Sequence, residues 1–423
     1  MSQAVPTSTT PADPDGPDAG PRQREKLGAL GVLLFQANFG WMLATGVSGT
    51  LLPALMEQVD ADAKVALYGT LTSIGAVAGL VANIVFGSLS DRTRSRFGRR
   101  NPWILGGGLV ATLALSAMSL VSAFPLLVLL YVVFQVGLNA LLAPLAAVLP
   151  DRVAPARRGV ASAFIGFGTL LAQSLGSVVG AAFLSNIRVG LGLVPFVLAL
   201  TTILFVVFAR DSSTRHEPKR TLTFREILVT FRVPMDRDYL LALFGRLVLL
   251  LAFYCVVLYQ YFVLQDYVGL DAAGVAGTVA LSGIVLAVAS GIGTLVSGPL
   301  SDWIKRRKLL VVIASLIIAA AFVPLILWPS TGTFLGFIGA AGLAYGVYIA
   351  VDQALMSDVL PSDAEHGKDM GILNIANTAP QFIAPGLAGI ALGTGIGYGG
   401  LFTVGAVLAV LSAVLIGSIR RVH

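Results

Sequence analysis

Residues 87–103 read Gly87-Ser-Leu-Ser-Asp91-Arg92-Thr-Arg-Ser-Arg-Phe-Gly98-Arg99-Arg100-Asn-Pro102-Trp103. Five arginines stand in this stretch, between an apolar run that ends near Phe86 and another that begins at Ile104. Both runs are long enough to cross a hydrocarbon core of about 30 Å as helices. A short basic loop between two spans is retained on the cytoplasmic side, so these residues orient the whole chain.

Working outward, 56% of the 423 residues are hydrophobic and 12% are charged, with a mean hydropathy of +0.85. That composition excludes a soluble protein. Continuous rather than alternating apolar runs exclude a strand barrel and predict an all-α membrane protein. Twelve runs have the length of a span, and they divide the chain as follows. Residues 1–26 are a proline-rich cytoplasmic tail, 27–209 hold six spans, and 210–238 are a cytoplasmic linker. Six further spans fill 239–418, and 419–423 form a second cytoplasmic tail. With the amino terminus inside, 26 of the 28 Lys and Arg residues fall toward the inner side, Arg246 two turns into its span among them, leaving Lys64 and Arg188 outside. This predicts a multi-pass protein of the cytoplasmic membrane with both termini cytoplasmic. The lone cysteine, Cys255, rules out a disulfide framework.

The two halves repeat. Gly87-Ser-Leu-Ser-Asp91-Arg aligns with Gly298-Pro-Leu-Ser-Asp302-Trp at an offset of 211, and Leu149-Pro150 aligns with Leu360-Pro361 at the same offset. Parallel six-helix repeats with a site near the midplane between them are a transporter pattern. Gly-x-x-x-Asp-Arg followed by Gly-Arg-Arg resembles the loop between helices 2 and 3 of the major facilitator superfamily. The longer form, from Asp91 to Trp103, is similar to the glycoside-pentoside-hexuronide:cation symporters and the plant sucrose transporters. So is the segment from Gly371 to Pro385. The resemblance implies the major facilitator fold, two six-helix pseudo-repeats of twelve transmembrane helices. It also implies a cytoplasmic gate of Gly87, Asp91, Arg92, Gly98, Arg99, Arg100, Asp151 and Asp302. In it Asp91 would approach the start of helix 11 near Lys368, and Asp302 the start of helix 5 near Arg157 and Arg158.

Of the 22 acidic residues, Asp352 alone lies clearly inside a span, with Asp358 near the inner end of the same helix. A carboxylate in hydrocarbon is costly unless neutral, paired or wetted, so it marks function by default. Arg246 is the basic residue at comparable depth and the expected partner of Asp352 or Asp358; a fixed structural pair is the alternative. Asn374, Asn377 and Gln381 recur at i, i+3 and i+7, one face of a helix. Amides donate and accept at once, which suits sugar hydroxyls and, equally, bonds between helices. Gln135 and Asn139 offer the same on helix 4. Asn139, Pro144 and Asp151 match the sucrose-transporter spacing, whereas Ala146 stands where that pattern has an arginine. Gln36, Asn38, Trp41, Tyr254, Tyr259 and Tyr348, with Tyr345, complete the candidate substrate surface, because an aromatic face with a polar edge suits a pyranose ring. In the superfamily helices 1, 4, 7 and 10 line the central cavity.

Helix 2 offers Asn83 where sodium-coupled relatives carry acids, so a proton is the expected coupling ion and sodium the lesser candidate. The expectation is a secondary transporter, a proton-coupled symporter of a sugar or glycoside. An exporter of a small hydrophobic compound and a non-transporting membrane receptor are the alternatives. Expected partners are that small molecule and the lipid bilayer, with no nucleic acid, no metal, no cofactor, and a monomeric state. No enzyme is expected. Gly46-Val-Ser-Gly49 matches an intramembrane protease motif, but His216, His366 and His423 all fall in cytoplasmic segments and none supplies a base at membrane depth. Gly395 to Gly400 matches a dinucleotide fingerprint without a preceding strand.

Overall fold

The computed structural model describes residues 27–154, 157–211, 213–214, 235–304, 306–359 and 366–420, with backbone alone at 27, 298, 299, 302, 352–359, 366–378 and 382. The described residues form helices and no strand. The first six are α1 (Leu27–Val59), α2 (Lys64–Arg92), α3 (Asn101–Ala117), α4 (Phe124–Arg152), α5 (Arg158–Ala182) and α6 (Leu184–Phe208). The last six are α7 (Arg237–Val257), α8 (Ala272–Ile304), α9 (Arg307–Leu327), α10 (Thr331–Val359), α11 (His366–Gly393) and α12 (Gly397–Gly417). Eleven of the twelve are long and apolar enough to cross a membrane, and α11 contributes an apolar described stretch over Ala379–Gly393. In hydrocarbon a helix satisfies every backbone polar group within its own segment, which is why uniform apolar composition resolves into helices here.

Local chemistry sets the ends. Pro102 and Pro125 stand in the first turns of α3 and α4, where a missing N–H costs nothing. Asp236 caps α7, its carboxylate accepting from the backbone N–H groups of Asp238 and Tyr239. α6 is broken at Val194-Pro195 into Ile187–Leu193 and Phe196–Phe208. Over residues 239–265, read from the sequence as one span, α7 stops at Val257 and is followed by the short helix Gln260–Phe262 and a π-helical turn Val263–Tyr267. The backbone tightens where Tyr259 N–H bonds Val256 carbonyl, and the Tyr259 hydroxyl donates to the Pro385 carbonyl at 2.7 Å. That tie comes from another helix, so local hydropathy carries no trace of it.

Helix pairing repeats between the halves. α1 packs on α5, α2 and α3 on α4, and α1 and α3 on α6; in the same order α7 packs on α11, α8 and α9 on α10, and α7 and α9 on α12. The halves meet through α2 on α11 and α5 on α8, two contacts that exchange under the same rotation. The architecture is therefore two six-helix pseudo-repeats.

Candidate functional site

At the arginine-rich end, Gly98 takes a φ of 83°, and a β-carbon there would collide with Asp211. Only glycine lets the loop turn at this point. The turn delivers Arg100, 6% exposed, to the ends of three helices. Its guanidinium reaches Asp91 at 2.6 Å and Asp151 at 3.1 Å, and donates to Ser90 Oγ at 2.6 Å. Arg99 adds a second contact to Asp151 at 2.8 Å. A planar fork with several donors suits this multiple grip as no ammonium would. Arg152 donates to the carbonyls of Ala209 and Arg210, Asn101 to Ala209, and Arg158 to Val153 and Pro150. The partners named for Arg100, Arg152, Arg158 and Asn101 belong to the first six helices or the chain just after them. Gly87 has room: a β-carbon there would meet Ala143 at an ordinary 3.8 Å. Arg92 is exposed at the end of α2. Lys368 and Asp302 have side chains outside the described residues.

The opposite end holds a cluster that joins the halves. Lys64 Nζ, at the start of α2, lies 2.7 Å from Gln265 Oε1, 2.7 Å from Asp266 Oδ1 and 3.4 Å from Glu57 Oε1. Gln265 and Tyr261 both donate to Glu57, at 2.6 and 2.7 Å, and Tyr398 of α12 donates to Asp266 at 2.9 Å. Beneath it Tyr68 packs edge-on against Tyr259 and Phe262, with ring centroids 5.4 and 5.8 Å apart. Gly69 and Gly389 bring α2 and α11 together so closely that a β-carbon on Gly69 would sit 3.2 Å from the Gly389 Cα. The bonds of Lys64 and Glu57 to Tyr261, Gln265 and Asp266 join the first six helices to the last six.

Between these ends α7, α10 and α11 converge. Tyr254 lies beside Tyr345, Tyr348 and Gln381. Phe253 stacks on Tyr345 at 4.8 Å with nearly parallel rings. Arg246, 2% exposed, stands near Tyr345, and the Tyr348 side chain is fully buried. The cluster presents ring faces, hydroxyls and an amide, with a buried guanidinium behind them. Asp352, Asp358, Asn374 and Asn377 lie on α10 and α11 with side chains outside the described residues.

In the first half the amides are spent on protein. Asn139 bridges α4 to α2, accepting from Asn83 at 3.1 Å and donating to the Gln135 carbonyl at 2.9 Å, while Gln135 donates to the Tyr131 hydroxyl at 3.0 Å. Gln36 donates to the Thr201 carbonyl of α6 at 2.9 Å. Asn38 donates to Leu34 of its own helix and accepts from the Trp41 indole at 3.1 Å. The Tyr259 hydroxyl donates to the Pro385 carbonyl.

The family model of the Major Facilitator Superfamily matches residues 33–327 and 277–422, nearly the whole chain. The chain belongs to the Major Facilitator Superfamily. As a superfamily member it is an integral multi-pass membrane transporter. Its fold is shared by a bacterial homolog of the human lysosomal transporter Spinster in an inward-facing, unoccupied conformation, with a TM-score of 0.68 and 16% identity over 93% of this chain and 95% of that one. The nucleoside transporter NupG gives 0.70 and 13% over 92% and 98%. A D-xylose-proton symporter gives 0.65 and 15% over 92% and 97%. An uncharacterized symporter of Synechocystis sp. is 44% identical over 59 residues, 14% of this chain and 11% of that protein.

In this Major Facilitator protein the cluster around Lys64 is the part that sequence reasoning missed. Lys64 was visible as one of two basic residues assigned outside, with Glu57 seven positions before it and Asp266 far downstream. A lone cation among acids on a side poor in basic residues was the available signal. Its partners are 201 and 202 positions away and needed the fold to find them.

Proposed function

We propose that this transporter is a proton-coupled symporter of a sugar or glycoside, working by alternating access in the cytoplasmic membrane with its arginine-rich end inside. The observation that carries the reading is the group of aromatic and polar side chains where α7, α10 and α11 converge. The halves are tied at the Lys64 end, as expected of a carrier closed on the outside. The tyrosines and Gln381 of α7, α10 and α11 supply stacking faces with hydroxyl and amide edges, the chemistry that a polyhydroxylated ring takes. Arg246 stands behind them as the partner proposed for Asp352, whose protonation would remove the one carboxylate charge at membrane depth.

Purified protein in vesicles, given an inward proton gradient and radiolabelled D-xylose, sucrose and methyl glycosides in turn, accumulates at least one of them. Asp352→Asn abolishes gradient-driven accumulation but keeps exchange of labelled for unlabelled sugar. Accumulation that persists in Asp352→Asn removes this carboxyl from coupling, and failure of every sugar removes the substrate class.

A further inference from the structure

A groove of about 630 Å³ runs between α2 and α4, and its lining is wholly apolar: Ile74, Val77, Val81 and Val85 of α2 face Val132 and Val136 of α4. Val77 is 66% exposed and Val81 55%, so the groove opens away from the protein. A slot of this size is comparable with pockets that hold organic ligands. None of the clusters described above uses it.

Its lower end is different in kind. Positions 74, 81, 85 and 92 recur on one face of α2, which places Arg92 at the foot of the apolar stripe. Phe86, which also lines the groove, packs edge-on against Trp103 with centroids 5.2 Å apart, and the Trp103 indole donates to Thr93 at 2.7 Å. Arg94 follows Thr93 directly, and both Arg94 and Arg96 are exposed. The other two arginines of the loop are engaged by Asp91 and Asp151.

From the middle of α2 to its end, the surface therefore passes from hydrocarbon slot to an amphipathic indole to a cationic rim. Acyl chain, interfacial glycerol and phosphate follow in the same order in a phospholipid. Tryptophan favours the interfacial depth, and basic side chains just beyond a span attract anionic headgroups. We infer that this groove is a binding site for one anionic phospholipid, its acyl chain between α2 and α4 and its phosphate against Arg94 and Arg96. Neutral lipids fill the slot without the headgroup contact and bind there more weakly. The inference rests on membrane embedding alone and stands apart from the choice of transported substrate.

The test is native mass spectrometry of the full-length protein in detergent, titrated with dioleoyl phosphatidylglycerol or dioleoyl phosphatidylcholine. One phosphatidylglycerol is retained saturably, with a preference over phosphatidylcholine of about tenfold or more, given two basic side chains near the phosphate. The double variant Arg94→Gln/Arg96→Gln loses the preference and keeps the weaker retention of phosphatidylcholine. Arg94→Lys/Arg96→Lys keeps the preference, which separates charge from folding. Val81→Trp fills the slot and lowers retention of both lipids severalfold, whereas Leu113→Trp, at an equally open apolar position on α3 (62% exposed), changes neither. Equal retention of the two lipids by the native chain, binding that never saturates, a preference that survives Arg94→Gln/Arg96→Gln, or a Val81→Trp variant identical to the native protein would each overturn the assignment.

Discussion

The two ends of this protein use the same charged chemistry to opposite purpose. At the arginine-rich end, Arg100 is nearly buried and grips Asp91 and Asp151, so it welds the ends of α2, α3 and α4 into one body. At the other end, Lys64 keeps a side-chain exposure of 12% and reaches across the seam to Gln265 and Asp266. A clamp inside one body keeps its partners however the two halves move. A latch across the seam has to open if they rock apart. The first is therefore a stability device and the second bears on a conformational equilibrium, and four substitutions separate them.

The largest effect is expected from Arg100→Ala. The substitution loses the charged hydrogen bonds to Asp151 and Ser90 and the more exposed one to Asp91, together roughly 3 kcal/mol, while Arg99 keeps its hold on Asp151. Thermal unfolding of the purified protein shows the loss, and Arg100→Lys recovers little of it because an ammonium cannot hold three helix ends in one plane. An unchanged melting temperature would remove the clamp from the account.

Gly69→Leu acts on the seam instead. A bulky side chain at the point where α2 approaches the Gly389 Cα wedges the halves apart, at a cost of about 2 kcal/mol that the open conformation avoids. With Cys255 replaced by Ser and a reporter placed as Ser73→Cys, facing Gly386, alkylation of the reporter accelerates by about thirtyfold, with the melting temperature little altered. The same substitution at Gly106, where a β-carbon meets nothing within 4 Å, leaves the rate alone.

Lys64→Gln gives a smaller shift in the same direction. It discards the charge shared among Glu57, Gln265 and Asp266, worth about 1.4 kcal/mol for a partly exposed charged hydrogen bond, or roughly tenfold in alkylation. Tyr398→Phe comes last. Its bond to Asp266 lies on the exposed rim and within the second half, so it acts on the latch only by positioning Asp266, and about twofold is expected. If Lys64→Gln lowered the melting temperature as much as Arg100→Ala while reporter access stayed constant, the two ends would not differ in the way proposed.

Much of the architecture was legible because hydrocarbon imposes it. Apolar runs of about 20 residues, a one-sided distribution of Lys and Arg, and two matches at a single offset are properties of the chain alone. The break after Val257 was hidden, because the turn at Tyr259 is held by Pro385, 126 positions away. The candidate amides show the same limit. Asn139 and Tyr254 both carry groups suited to a sugar, yet the first bonds Asn83 and Gln135 across α2 and α4, and the second sits among Tyr345, Tyr348 and Gln381. Residue type and helical face could not tell these situations apart.

What the chain determines by itself is a consequence of solvent. Each span is decided locally, by whether about 20 consecutive residues prefer hydrocarbon, and loop charge then orients the set. Which polar groups meet is a different kind of question. Glu57, Lys64 and Asp266 acquire a shared role only when α2 and α11 have packed together on glycine, because a hydrogen bond or ion pair acts over a few ångströms whereas the chain separates its partners by some two hundred residues.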